Sequence, residues 1–316
     1  MHSVKLLLIW IGVGLKMACE KFKKYKPQKE QQVLLEQIMI IINDYMIKGF
    51  VLTCRQIYYQ LVARVILTNN QKNYNKVTKI ISNARMAGII DWNAIVDRNR
   101  ESYMHYYNLG IDDAINDTLE QYRVNRMLLQ DVYIEVMIEK MAIYDIIKTV
   151  TNKYSIRLTG DKGFCSNTIL YDISKRMIRA LQEGKTAYIL YVGDHDPSGL
   201  TMDKTIKETI SLMGANGVEF RRVALTFEQV KEYNLPPNVV KDGDRNSGKY
   251  KEEHGSTSWE CDALPPEILV ELLETEVLKI IDIENYNYMC KVEEEDKEKL
   301  RQIIDSIKMT NNYGVA

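Results

Sequence analysis

The stretch that most constrains the fold is Tyr188 to Leu200, YILYVGDHDPSGL. The run Tyr188–Val192 is apolar, β-branched and aromatic, which reads as a buried strand. It stops at Gly193, and Asp194-His195-Asp196-Pro197-Ser198-Gly199 follows as a tight turn before a helical pattern near Leu200. In a parallel α/β sheet, ligands bind at the carboxyl ends of strands. Asp194 and Asp196 are two residues apart, so an extended backbone aims both the same way. Paired carboxylates suit a hard cation such as Mg²⁺. Asp, Pro, Ser and Gly are also ordinary turn residues, so this segment alone reads more readily as a solvated turn.

The same β-to-α alternation runs through the second half of the chain. Val132–Ile138 reads as a strand ending at Glu139, with a helix over 140–150. Ile156–Leu158 is a second strand, leading into Thr159-Gly160-Asp161-Lys162-Gly163. A helix over 167–183, the strand at 186–192, a helix over 200–213 and a strand near 218–224 continue the pattern. This predicts a parallel α/β layer. Glu139 then shares an edge with Asp194 and Asp196, and three such carboxylates suit a Mg²⁺ site for phosphoryl chemistry. An acid at a helix start is also favoured by the helix dipole, which leaves Glu139 a second reading. A loop-rich stretch at 233–258, a Trp259-Glu260-Cys261-Asp262-Ala263-Leu264 segment, a helix over 267–281 and a charged helix over 292–308 complete this half.

The first half reads differently. Gln31–Lys48 has helical apolar spacing stopped by Gly49. Thr53 is an N-cap for a helix over 55–65. Asn69-Asn70 makes a turn, and a third helix runs from about Tyr74 to Ala87. Ile89–Trp92 and Ile95-Val96 read as an extended wing. The expectation is an N-terminal winged helix-turn-helix domain over 28–105, a linker over 106–130 and a parallel α/β domain over 131–316, α/β in class and α+β taken whole. The third helix carries Lys72, Lys76, Lys79 and Arg85, with Arg98 and Arg100 after the wing. Such a local basic face suits a duplex backbone, though it also suits a solvated helix. It has to be local, because the net charge of the 316 residues is −1.

Arg55-Gln56-Ile57-Tyr58-Tyr59 lies in the second helix. Neighbouring helix positions point about 100° apart, so one tyrosine is expected in the core and the other presented. A tyrosine hydroxyl beside DNA can act as a nucleophile if a nearby cation such as Arg55 assists it. An aromatic pair on a helix is otherwise core. The five cysteines are widely spaced with no CxxC pair, which argues against a zinc ribbon or disulfide framework and fits a reducing cytoplasm. Val4–Leu15 is apolar but interrupted by Lys5 and shorter than the ~20 residues a spanning helix needs. Residues 1–27 are therefore expected to be an extension outside the fold, with Met17 a possible start and a membrane anchor the alternative.

Taken in order, these features resemble one family: the DNA-cleaving A subunit of topoisomerase VI and its meiotic double-strand-break relatives. The resemblance rests on Arg55 to Tyr59, Glu139-Lys140, Leu158 to Phe164, Asp194-x-Asp196-Pro-x-Gly and Trp259 to Leu264. It covers roughly residues 50–280 and is nearest to short, stand-alone bacterial and phage forms. It implies that the parallel α/β domain over 131–316 is of the Toprim type, with Tyr59 as nucleophile and Arg55 as its activating arginine. It implies Glu139, Asp194 and Asp196 as ligands of Mg²⁺, a homodimer on double-stranded DNA, and breaks with 5′-phosphotyrosyl ends. No Walker-type loop is present, so ATP-driven strand passage would need a separate ATPase subunit. The alternatives are a Toprim nuclease that uses water, and a non-catalytic DNA-binding protein that keeps the fold.

Overall fold

The computed structural model describes residues 19, 21–96, 107–160, 167–239 and 247–312. The chain divides into two compact units at Asp97/Arg98.

In the first unit, α1 (Lys29–Ile47), α2 (Cys54–Ala63) and α3 (Gln71–Met86) pack together. Side-chain capping sets both later helix starts. The Thr53 hydroxyl accepts the Gln56 amide while the Gln56 side chain returns to the Thr53 amide, so α2 begins at Cys54. Asn70 accepts the Asn73 amide and starts α3 three residues earlier than periodicity suggests. Leu35, Ile38 and Ile42 of α1, Ile57 and Leu61 of α2, and Val77, Ile80, Ile81 and Ala84 of α3 form the core.

Two expectations fail in this unit. The wing is not a pair of strands among the described residues: Trp92–Ala94 is a 3₁₀ turn capped by Asp91, and Ile95 makes a single parallel bridge to Leu52. The extension over 1–27 is not wholly outside the fold either. Lys21 bridges Ala87, the Phe22 and Lys23 amides bond the Met86 carbonyl, and the Phe22 ring meets Trp92 edge-on. Residues 1–18, including the apolar segment 4–15, lie outside the described residues. Among those described, no helix is long and apolar enough to cross a membrane.

The second unit contains the segment expected to be a linker, and it is structured. It holds α4 (Ile111–Gln121), and Arg126 forms a two-pronged pair with Glu293. Then come β1 (Val132–Ile138), α5 (Tyr144–Lys153), β2 (Arg157–Gly160), α6 (Asn167–Gln182), β3 (Thr186–Val192), α7 (Pro197–Leu212) and β4 (Glu219–Ala224). The chain continues through α8 (Phe227–Glu232), β5 (Asn238–Val239), α9 (Ser247–His254), β6 (Thr257–Ser258), α10 (Pro266–Leu278) and α11 (Ile283–Asn312). β5 and β6 make a small antiparallel pair.

The main sheet is parallel, in the order β2-β1-β3-β4. Ile189 and Tyr191 of β3 and Met137 of β1 share a core with α6 and α7. The residues adjacent to them in the strands point to the opposite face, and α5 packs with β2 while α10 packs with β4 and α5. The strand order fixes the position of the site. The chain leaves β1 towards β2 on one side and leaves β3 towards β4 on the other. Between the carboxyl ends of β1 and β3 the connections diverge, and such a switch point leaves a crevice.

Candidate active site

Glu139 is the first residue past β1, and Asp194 is two past β3. Register pairs Ile138 with Val192, so the two strand ends are level. The Asp194 amide donates to Glu139 Oε2 at 2.9 Å, and the Tyr191 hydroxyl reaches the same oxygen at 3.3 Å. The intervening residue has to be glycine, because a Cβ on Gly193 would collide with the Glu139 carboxylate and the Tyr191 ring.

Asp196 is the N-cap of α7. Its Oδ1 accepts the Gly199 amide at 2.6 Å, and Pro197 occupies the first turn, which is why the helix begins before Leu200. A Cβ on Gly199 would strike the Asp194 carbonyl oxygen, so the second glycine of the motif also allows a close backbone approach. Arg222 of β4 ties the turn down from beneath. It donates to the carbonyls of Gly193, Asp194, Gly199 and Leu225, and grips Asp203 with two nitrogens.

His195 faces the other way. It is 3% exposed, stacked on Phe227 and packed by Tyr250, His254 and Trp259. Burial, then His254 and Arg222, push its pKa down to about 4, so it is a neutral packing residue. Its backbone pairs with Trp259 in both directions. That pairing brings in residues with no assigned role in the sequence reading. The Cys261 amide donates to Asp194 Oδ1. Lys140 Nζ lies 2.7 Å from Asp194 Oδ2, 3.0 Å from Glu260 Oε2 and 3.6 Å from Asp262 Oδ1. Burial alone would lower the Lys140 pKa, but Asp262 and Asp194 hold it well above the ordinary lysine value. The clue in the sequence was a Trp-Glu-x-Asp segment, but its place beside the turn depends on long-range strand pairing.

Burial and neighbouring acids dominate the electrostatics of Glu139. Burial, then Asp194 and Asp196, push the Glu139 carboxyl up to about 7. Glu139 and Asp194 are therefore brought into contact. Asp196 is near enough to repel Glu139, but its carboxylate also caps α7. Among the described residues, no three His, Cys, Asp or Glu side chains are gathered closely enough to hold a metal as they stand. The donor set is nonetheless all oxygen and electrostatically undercompensated. That fits Mg²⁺, which uses one or two carboxylates and retains several waters.

The sites expected in the first unit fare unevenly. Lys72 and Lys79 of α3 are exposed and Lys76 is half-buried, spaced along one helix face. Arg85 turns inward. Its guanidinium bonds the Trp92 carbonyl at 2.6 Å and lies 4.6 Å from the Trp92 ring centre, so it braces the 92–95 segment and does not extend the basic face. Arg98 and Arg100 lie outside the described residues. Arg55 is exposed, with its guanidinium 6.0 Å from the Tyr74 ring centre.

Tyr58 and Tyr59 are both 3% exposed, against the expectation that one is presented. Every residue from Gln56 to Leu61 is buried, so α2 is enclosed on all sides and the 100° offset forces neither ring out. The two rings lie 5.6 Å apart. The Tyr58 hydroxyl accepts the Asn70 amide at 2.7 Å and contacts Asn69, so it is a structural brace of the turn before α3.

The family models, the curated proteins and the solved structures with which the chain was compared give no match.

Proposed function

We propose that the protein is a Mg²⁺-dependent DNA-binding and DNA-cleaving protein resembling the A subunit of topoisomerase VI. The observation that carries the reading is the meeting of Glu139 and Asp194 at the divergence between β1 and β3, with Glu139 raised to about 7 by burial and by the two aspartates. Glu139, Asp194 and Asp196 would hold Mg²⁺, which would supply Lewis acidity to a phosphodiester. The chain's own groups do the rest. Lys72, Lys76 and Lys79 hold the duplex through its phosphates. Lys140 and Arg222 fix the acid turn. Tyr59 supplies the nucleophile: its phenol oxygen bonds phosphorus, the P–O3′ bond breaks, and the proton lost by the phenol is balanced by one gained at the 3′-oxygen. The product is a 5′-phosphotyrosyl end. Following the family's arrangement, a homodimer cuts both strands, and a separate ATPase subunit is needed for strand passage.

The burial of Tyr59 favours a second reading, a Toprim-type nuclease in which water attacks. The first reading requires DNA or the second protomer to uncover that phenol. Denaturing gels of protein incubated with duplex DNA and Mg²⁺ separate the two. Transesterification gives a covalent adduct that is lost in Tyr59→Phe and in Asp194→Ala. Cleavage that persists in Tyr59→Phe without an adduct establishes the nuclease. Binding without cleavage in Mg²⁺ or Mn²⁺ refutes both.

A further inference from the structure

The acid edge already carries a cation of its own. Lys140, next to Glu139, places its ammonium among three carboxylates: Asp194 from the turn after β3, and Glu260 and Asp262 from the segment paired to that turn. The Asp194 and Asp262 side chains are 6% and 0% exposed, so water screens this cluster little. One positive charge faces three formal negatives, with Glu139 touching the Asp194 amide next door. Asp194 is the one of the three that also belongs to the metal edge. A lysine carries a compact charge on a flexible stem with rotatable donors. Glu260 and Asp262 are already within ion-pair range, so a small swing would cost Lys140 only its contact with Asp194.

We infer that Lys140 is a built-in counter-cation that competes with a divalent metal for Asp194, and that Glu260 and Asp262 are the acceptors that keep its ammonium when the metal takes that carboxylate. The inference rests on the reading that Asp194 is a metal ligand. It assigns the Trp-Glu-x-Asp segment a positioning role: the pair tunes how tightly the edge takes metal and holds the turn together before metal arrives.

A purely structural lysine and a competing lysine differ in the sign of one measurement. The full chain, stripped of metal, is titrated with Mg²⁺ alone by calorimetry, without DNA. Lys140→Met removes the competitor and should bind Mg²⁺ more tightly than wild type by about tenfold or more, the effect of one neighbouring charge at a few ångströms in a poorly screened site. Lys140→Arg keeps the charge and should stay close to wild type. In chelator, Lys140→Met should melt below wild type and recover on adding Mg²⁺. Equal or weaker Mg²⁺ binding by Lys140→Met overturns the inference. If Lys140→Met does not fold in chelator, Lys140→Met/Asp262→Asn is compared with Asp262→Asn alone, and the same ordering must hold. Glu139→Gln separates this from the wider proposal. If it leaves wild-type Mg²⁺ affinity unchanged, the assignment of Glu139 as a ligand fails. A gain in Lys140→Met would still support the competition at Asp194.

Discussion

Glu139→Gln should stabilise the metal-free protein, and only above a defined pH. The carboxyl rises from an ordinary 4.5 to about 7, chiefly by burial and then by Asp194 and Asp196. A raised folded-state value means the folded chain keeps a proton that the unfolded chain has released. The favourable contribution is complete below pH 4.5 and is lost as pH climbs to about 7. The difference of about 2.5 units sets a ceiling of about 3 kcal/mol on the cost of ionising Glu139 in the fold. Glutamine never ionises, and its carbonyl oxygen can accept the Asp194 amide and the Tyr191 hydroxyl as the carboxylate does. In chelator at pH 8 the variant should therefore exceed wild type by about 1 to 3 kcal/mol, and at pH 4 the two should agree within about 0.5 kcal/mol. Urea unfolding followed by Trp259, in a Trp10→Phe/Trp92→Phe background, reads the second unit alone, since the chain has three tryptophans. Saturating Mg²⁺ should reverse the order at pH 8, because it stabilises the wild-type carboxylate. A difference of the same size at both pH values, or a less stable variant at pH 8, would refute the claim that Glu139 is held in an acid-rich, charge-starved site.

Other perturbations follow from the same geometry. Glu293 is fully buried between Arg126 and Lys297; burial alone would raise its pKa, but Arg126 and Lys297 outweigh this and bring it down to about 2. Its stabilisation is present above pH 4.5 and is lost as pH falls towards 2, and Glu293→Gln should cost about 3 kcal/mol at pH 7 and progressively less in acid, read by urea unfolding. Gly199→Ala should cost about 1 to 3 kcal/mol by driving a methyl into the Asp194 carbonyl, and should weaken Mg²⁺ binding in calorimetry. Changing Lys72, Lys76 and Lys79 together to Gln should flatten the salt dependence of duplex binding by up to about three in log–log slope, whereas Arg85→Gln should leave the slope unchanged and lower the melting temperature.

Much of the fold could be read from the sequence because its signals are local. The strand at 186–192 has the predicted ends: the apolar run is bounded by Lys185 and Gly193, and nothing distant alters it. Thr53 is a visible cap. The meeting of Glu139 and Asp194 is legible for the same reason, since parallel strands bring their carboxyl ends together without further information. Where the reading failed, distant partners decided. Arg85 looks like part of a basic face until Trp92 folds beneath it. The wing residues are apolar enough for strands, yet Asp91 caps a 3₁₀ turn there. Tyr58 and Tyr59 can both be buried because α2 is enclosed, a property of its neighbours and not of its own spacing. The segment at 106–130 lacks a strong pattern, but Tyr122 and Arg126 find Asp296 and Glu293 more than 160 positions later, at separations of 174 and 167.

The role of Glu260 and Asp262 belongs to that second class and explains why the edge is built from three segments. A switch point between β1 and β3 is open because the two connections leave in opposite directions, so neither crossover helix can wall the crevice. Carboxylates placed there would repel one another, as Glu139 shows. A returning strand-like pairing, His195 with Trp259, supplies the missing wall, and Lys140 neutralises the acids that the wall brings with it. Removing the pairing should therefore do more than loosen a loop. With residues 259–262 displaced, Lys140 would have Asp194 as its only acid of the three, and Asp194 would lose the Cys261 amide. The turn would then keep only Arg222 on its carbonyls and Lys140 on Asp194, and the acid edge would lose its third segment.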